Sequence, residues 1–336
     1  MIEIRLIPEI EFNRVRAANI DKYTKLQLLA DMCRANAIAT VKRAGSGHLG
    51  SSFSSLDIVT DLYFSEMNIA EVGVSHPDRD IYFSSKGHDA PGHYAVLYAM
   101  GLISEAHFIN LRRHDGTHGH PDVSIAGIEA NTGSLGMGIS KAKGMAWAKK
   151  AKGSGGRVIV MTGDGELQEG QIWESLQTAT QQKVNDLTVI VDHNKFQSDK
   201  ALKHIIDLGD LADKFKVFGW HVERCDGHDF AALEQVFAKL KGIADKPKVL
   251  IADTVKGKGI SFMEGPTESP DEKFLYKWHA GAPDDDAFKA GYGELTESIN
   301  NRLQSVATRN PPTDRRPERS CPLYPLPVRP ELRHRH

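Results

Sequence analysis

Residues 157–170 read RVIVMTGDGELQEG, and residues 187–199 read LTVIVDHNKFQSD. Each opens with an unbroken apolar, β-branched run, Arg157–Thr162 and Leu187–Asp192. A strand needs such a run when both of its faces are covered. Each run then breaks into Gly, Asp or Asn. Further on, Lys248–Thr254 (KVLIADT) repeats the pattern. Between these runs the spacing predicts helices: one ending near Thr180, then Leu208–Phe218 and Phe230–Ile243, with a short strand at Trp220–Arg224. Alternating strands and helices predict an α/β fold: a mainly parallel sheet with helices on both faces. Ligands of such sheets sit beyond the carboxyl ends of strands. The loops after RVIVMT and LTVIVD are therefore the first places to look for a site.

Upstream, Leu26, Leu29, Cys33 and Ala37 recur at steps of three and four, which predicts a helix over Ile20–Val41 with one buried face. The glycine-rich stretch Ala44–Ser52 (AGSGHLGSS) ends it. A second helix is expected over Leu56–Met67, and a short strand around Asp80–Phe83. A turn and helix follow in SSKGHDAPGHYAVLYAMGLI, then a loop rich in His and Gly up to Asn131. An Ala-rich buried helix is expected over Gly138–Lys150. Residues 1–303 thus read as one α/β domain with an N-terminal helical segment. Residues 304–336 are dense in Pro and Arg, lack periodicity and read as a disordered tail that cannot bury enough apolar area to order itself.

The chain has 336 residues, 40% hydrophobic and 26% charged, with a formal net charge of −2. No broad positive field draws it to nucleic acid or to a lipid surface. No apolar run is long enough to span a bilayer, and the acidic N-terminal text MIEIRLIPEIEF is unlike a signal peptide. Cys33, Cys225 and Cys321 are far apart and lack metal spacing, which fits a reducing cytoplasm.

The strongest chemical signal is Gly163-Asp164-Gly165 at the end of one buried strand and Asn194 at the end of the next. Glycines let backbone amides approach a phosphate closely. A carboxylate and an amide oxygen suit a hard cation such as Mg2+, which binds few protein groups plus substrate phosphate. A helix follows GDGELQEG, and its first N–H groups favour anionic oxygens. Together these make a magnesium–diphosphate cradle. The plain alternative is a tight strand-to-helix turn.

GDGELQEG…VDHNKFQSD resembles the thiamine-diphosphate motif and, within that superfamily, transketolase. The resemblance implies the diphosphate-binding (PP) domain of the thiamine-diphosphate fold, with Mg2+, or Ca2+ or Mn2+ in its place, held by Asp164, the Asn194 side chain and the Phe196 carbonyl. It matches Glu169 to an acid that communicates with a second active site. Other segments are similar in the same order. SGHLGSS places His48 near substrate, SSKGHDA places His88 near cofactor and substrate, and HGHPD supplies His120. NTGSLGMG brings Gly133, Ser134 and Leu135 to the cofactor, and WHAGAP supplies His279. The similarity runs from about Leu26 to Pro283. It implies ketol transfer from a ketose to an aldose, free or phosphorylated, with His48, His120 and His279 on the donor's oxygens.

Two departures leave the subfamily open. GHLG stands where most transketolases read GHPG, as in deoxyxylulose-phosphate synthases, and His193 fills a position that is often acidic. Longer family members also continue through a pyrimidine-binding domain, with the glutamate that activates the cofactor, and a C-terminal domain. Here the α/β pattern stops near Leu303. The expectation is a two-chain enzyme in which this chain pairs with a subunit carrying the pyrimidine domain, in an α2β2 assembly. A subunit of another thiamine enzyme, or a non-catalytic cofactor-binding module, remains the alternative.

Three patterns invite other readings. GSGHLG (Gly45–Gly50) fits a dinucleotide fingerprint literally, but it follows a helix where that motif must follow a strand. His114, His118 and His120 are close enough to suggest zinc, but no helical pairing of ligands supports it. His93, His107, His204, His221 and His228 lack that motif support and read as ordinary structural histidines. Trp173 and Glu174 read as packing and surface.

Overall fold

The computed structural model describes residues 4–268 and 270–309 of the chain. Its strands are β1 (Ile81–Ser84), β2 (Val158–Gly163), β3 (Leu187–His193), β4 (Phe196–Gln197), β5 (Lys200–Ala201), β6 (His221–Asp226) and β7 (Lys248–Asp253). Five of them form one sheet in the order β1-β2-β3-β7-β6, and every neighbouring pair is parallel. β4 and β5 form a small antiparallel hairpin just past β3.

Side-chain alternation divides the sheet's two faces between two cores. Ile159, Met161, Ile190, Leu250 and Ala252 pack among the helices Lys22–Ala44, Leu49–Asp61, Ala90–Ala99 and Phe230–Lys241. Val158, Val160, Val189, Val191, Val249 and Ile251 face the helices Gly138–Lys152, Gly170–Gln181 and Leu211–Val217. The expected α/β architecture, with helices on both faces, is what the chain forms. No helix among the described residues is long and apolar enough to cross a membrane.

Two local differences bear on the site and its surroundings. The second helix starts at Leu49, inside AGSGHLGSS, with His48 at its N-cap, and not at Leu56. Its serines suggest a loop because their hydroxyls compete for backbone groups. Here they are buried, and all but Ser51 bond within the helix: Ser52 Oγ donates to the His48 carbonyl at 2.6 Å, and Ser54 Oγ and Ser55 Oγ donate to the Ser51 carbonyl at 3.2 and 3.0 Å. The second difference is a 25-residue helix, Asp285–Arg309, for which no element is predicted. It buries Phe288, Leu295, Ile299 and Leu303. It continues through residues 304–309, where the sequence predicts the start of the Pro/Arg-rich tail. From residue 310 that tail lies outside the described residues.

Candidate functional site

Parallel register sets Gly163 beside Asp192 and His193 beside Asp253, so β2, β3 and β7 end together. From there GDG enters a short 3-10 turn, Gly165–Gln168, before the helix at Gly170. Asp164 Oδ1 accepts from its neighbour Gly165 N–H at 2.7 Å, and Oδ2 accepts from the backbone N–H of Lys195 at 2.5 Å. Lys195 lies between Asn194 and Phe196, so the carboxylate is tied to the loop that carries both. Asn194 Oδ1 accepts from Phe196 N–H at 3.1 Å, and its Nδ2 donates to Asp192 at 3.0 Å. Burial pushes the Asp164 carboxyl up to about 6. Taking a carboxylate out of water disfavours its charge unless a cation compensates.

Asp192, completely buried, anchors the region. It accepts from Lys86 Nζ at 2.8 Å, Ser54 Oγ at 2.6 Å and the Thr254 hydroxyl. Lys86 also reaches the Ser51 carbonyl at 2.8 Å and Asp89 at 3.3 Å. A second staple is Glu166, which accepts from the Ser85 hydroxyl, from Gly136 N–H at 2.9 Å and from Gly163 N–H at 3.1 Å. It joins GDG, the SSKGHDA loop and the Gly133–Gly138 loop.

The histidines meet beside this knot. Gly50 N–H donates to the Trp278 carbonyl at 3.0 Å, and Gly281 N–H to the Gly47 carbonyl at 2.9 Å. This short zipper brings His48 to His279, with ring centroids 5.2 Å apart. His88 completes a triangle, 5.3 Å from His48 and 5.7 Å from His279. Gly87 permits this, because a Cβ there would lie 2.8 Å from the Gly133 nitrogen. Burial is the main cause that lowers all three imidazoles: His48 to about 4, His279 to about 3, and His88 well below its ordinary value. Nδ1 of His48 and Nδ1 of His279 are buried without a hydrogen-bond partner among the described residues.

His120 is exposed and lies over Gly133, where a Cβ would meet its ring at 2.8 Å. Ser134 and Leu135 are exposed next to it. Glu169 is exposed too, and its Cβ lies against Gly136, whose φ of +84° favours glycine. No group of three His, Cys, Asp or Glu side chains among the described residues is placed to hold a metal. A site built from Asp164, Asn194 and a carbonyl contains only one such side chain. A cavity of about 590 Å3 lies elsewhere, lined by Arg34, Asp57, His228 and Arg302 among others. Ion pairs occupy its charged walls, and none of the predicted site residues lines it.

Sequence reading missed Lys86, Asp192, Glu166 and Lys256. Lys256 is buried, donates to the Ser198 carbonyl at 2.8 Å and lies 5.3 Å from the Tyr276 ring centre. Burial pushes its ammonium down to about 8. Its charge is felt both by Asp164 and by His48, His88 and His279. The missed signal was a lone Lys just past a buried parallel strand.

Residues 25–270 match the family model described as "Transketolase, thiamine diphosphate binding domain". The chain is 36% identical over 278 residues to an apulose-4-phosphate transketolase subunit of Actinobacillus succinogenes, covering 82% of this chain and 97% of that protein. It is 36% identical over 259 residues to the 6-deoxy-6-sulfo-D-fructose transketolase subunit SqwG of Clostridium sp. (strain MSTE9), covering 76% and 94%. Its fold resembles the crystal structure of transketolase from Campylobacter jejuni, with TM-score 0.71 at 23% identity over 86% of this chain and 50% of that one.

Proposed function

This chain belongs to the transketolase family, and from that premise we propose that it is the diphosphate-holding subunit of a two-chain, Mg2+-dependent transketolase. The observation that carries the reading is the tie from the Asp164 carboxylate to the backbone between Asn194 and Phe196. It supports a site in which oxygens of Asp164, Asn194 and Phe196 would serve one ion at adjacent strand ends. Oxygen-only donors fit a hard cation that keeps other positions for water and phosphate. The fit has a second support: Asp164 is buried, and its oxygens accept only backbone N–H groups, with no ion pair among the described residues. A divalent ion held by Asp164, Asn194 and the Phe196 carbonyl would supply the missing positive charge. Gly163, Gly165 and the Gly133–Leu135 loop would border the cofactor.

Bound thiamine diphosphate supplies an acidic ring carbon that adds to a ketose carbonyl and carries a two-carbon fragment to an aldose. The chain's own part is to orient and to move protons. His48, His88 and His279 stay neutral across the physiological range, so each ring offers one donor and one acceptor nitrogen. The unpartnered Nδ1 atoms of His48 and His279 would take hydrogen bonds from sugar hydroxyls, or give them to a developing alkoxide. His120 would close the site from the exposed side. Both subunit relatives are covered over more than nine-tenths of their length, which supports a separate partner chain carrying the pyrimidine domain and its glutamate. The outward-facing Glu169 supports a contact between two copies of this chain in an α2β2 assembly.

Calorimetry and a coupled assay test this. Mixed with a pyrimidine-domain subunit, the chain is expected to bind thiamine diphosphate with Mg2+ and to transfer a ketol unit. Asp164→Ala is expected to weaken Mg2+-dependent binding about 100-fold or more. Unchanged affinity in that variant, or binding indifferent to a chelator, would refute the cradle. Turnover of pyruvate but of no ketose would reassign the enzyme to a deoxyxylulose-phosphate-synthase-like reaction.

A further inference from the structure

His228 lies outside the histidine triangle, and no motif marks its sequence neighbourhood. In the fold it ends a buried relay. Arg34 donates to Asp57 Oδ2 at 2.7 Å, and the same oxygen lies 2.7 Å from His228 Nδ1. His228 Nε2 then accepts from the backbone N–H of Val255 at 2.8 Å. An amide N–H can only donate, so Nε2 carries no proton. The neutral ring's proton therefore sits on Nδ1 and points to Asp57. Burial alone would raise the Asp57 carboxyl, but the Arg34 guanidinium and the His228 bond outweigh it and hold it well below the usual carboxylate range.

Val255 immediately precedes Lys256. The turn after β7 is fastened by Thr254, through its hydroxyl to Asp192 and its N–H to the His193 carbonyl at 3.2 Å, by Lys258 N–H to the Val255 carbonyl at 3.2 Å, by the Lys256 carbonyl to Gly265 N–H at 2.7 Å, and by Gly257 N–H to the Gly50 carbonyl at 2.9 Å. The His228 bond is the fastening on the backbone that leads directly into Lys256. We propose that His228 is a positioning residue, which by accepting from Val255 N–H sets the backbone that aims the Lys256 ammonium at the Ser198 carbonyl, in the loop that follows Asn194. Asp57 and Arg34 serve it by fixing the tautomer, in the way outer partners fix ligating histidines. The proposal rests on the reading of Asp164 and the Asn194 loop as the cofactor site, which Lys256 supports through Ser198.

Two substitutions separate the bonds of the ring. His228→Gln keeps an acceptor where Nε2 was, and His228→Asn keeps a donor where Nδ1 was. Hydrogen exchange read by mass spectrometry on the full chain follows the peptide containing Val255. Calorimetry gives thiamine diphosphate affinity with Mg2+. Urea midpoints record stability. His228→Asn is expected to speed exchange at Val255 and weaken cofactor binding about 10-fold, while His228→Gln stays within about threefold of wild type in both. The reverse ranking, equal losses in the two variants, or losses that merely follow the urea midpoints would overturn the proposal. If the wild-type chain fails to bind the cofactor even when mixed with a pyrimidine-domain subunit, the cradle reading fails, and the exchange ranking of the two variants still decides the role of His228.

Discussion

Two polar clusters share the same end of the sheet, and the fold treats them differently. The Lys86–Asp192 knot is closed: Asp192 takes four side-chain donors, Lys86, Ser54, Thr254 and Asn194, and Lys86 finds a carbonyl and two carboxylates. The histidine triangle is open, with the Nδ1 atoms of His48 and His279 buried and unpaired. A buried polar atom without a partner carries a desolvation cost that a closed network avoids. The knot therefore reads as scaffold, and the triangle as a surface prepared for hydroxyl-bearing substrate. Each substitution below should damage one cluster while sparing the other's property.

The largest effect on stability belongs to the knot. Lys86→Met would leave Asp192 and Asp89 buried without their shared cation. Breaking a buried pair from one side costs about 3–5 kcal/mol. A drop of that size in unfolding free energy is expected from urea titration. A midpoint near wild type would mean that the knot is not scaffold.

The triangle should respond in function and not in stability. His279→Ala removes a ring whose Nδ1 has no hydrogen-bond partner. Its urea midpoint is expected to move little. Turnover with the partner subunit is expected to fall about 100-fold, the scale of one acid–base group, with cofactor affinity changed far less. Equal loss of turnover and cofactor affinity would move His279 from the substrate side to the cofactor side.

The contrast also explains what could be read from sequence. β2, β3 and β7 were legible because a strand covered on both faces is a local apolar run. GDG and Asn194 were legible because each ends such a run. The triangle came from resemblance: residues 48, 88 and 279 carry no shared spacing, and His48 meets His279 through the Gly47–Gly50 and Trp278–Gly281 zipper. The knot was invisible, since Lys86 and Asp192 are 106 residues apart and Ser54 and Asp192 are 138 apart. Tertiary packing alone joins them. The Asp285–Arg309 helix does carry a helical face, with Leu295, Ile299 and Leu303 at steps of four and Phe288 two turns before them, but the polar residues that dominate it mask that face.

The smallest expected effect is on the pH dependence of stability, and it separates the clusters once more. Burial holds His48 near 4 and His279 near 3 in the folded chain, against 6.5 ordinarily. As pH falls below about 6.5, unfolded chains take up protons at these positions and folded chains do not. The share of stability that these two rings control is therefore full above about 6.5 and falls as pH drops toward 4, while the carboxyls of Asp61 and Asp164, pushed up by burial to about 7 and about 6, act in the opposite sense. Asp192 behaves otherwise. Although burial opposes it, Lys86 and its hydrogen bonds hold its carboxyl below 3.8, so its share is lost only at lower pH. Thermal melts from about pH 7 to about pH 4.5 record the balance of these opposing shares, and the share of the rings is read as the difference between wild type and a variant that lacks them. In a His48→Gln, His279→Gln double variant the midpoint at the acid end, relative to its value at about pH 7, should be higher than in wild type, by less than the full histidine share because burial also lowers His88 and His93. Parallel curves would assign the acid loss to groups outside the triangle and remove the claim that its rings are held neutral by burial.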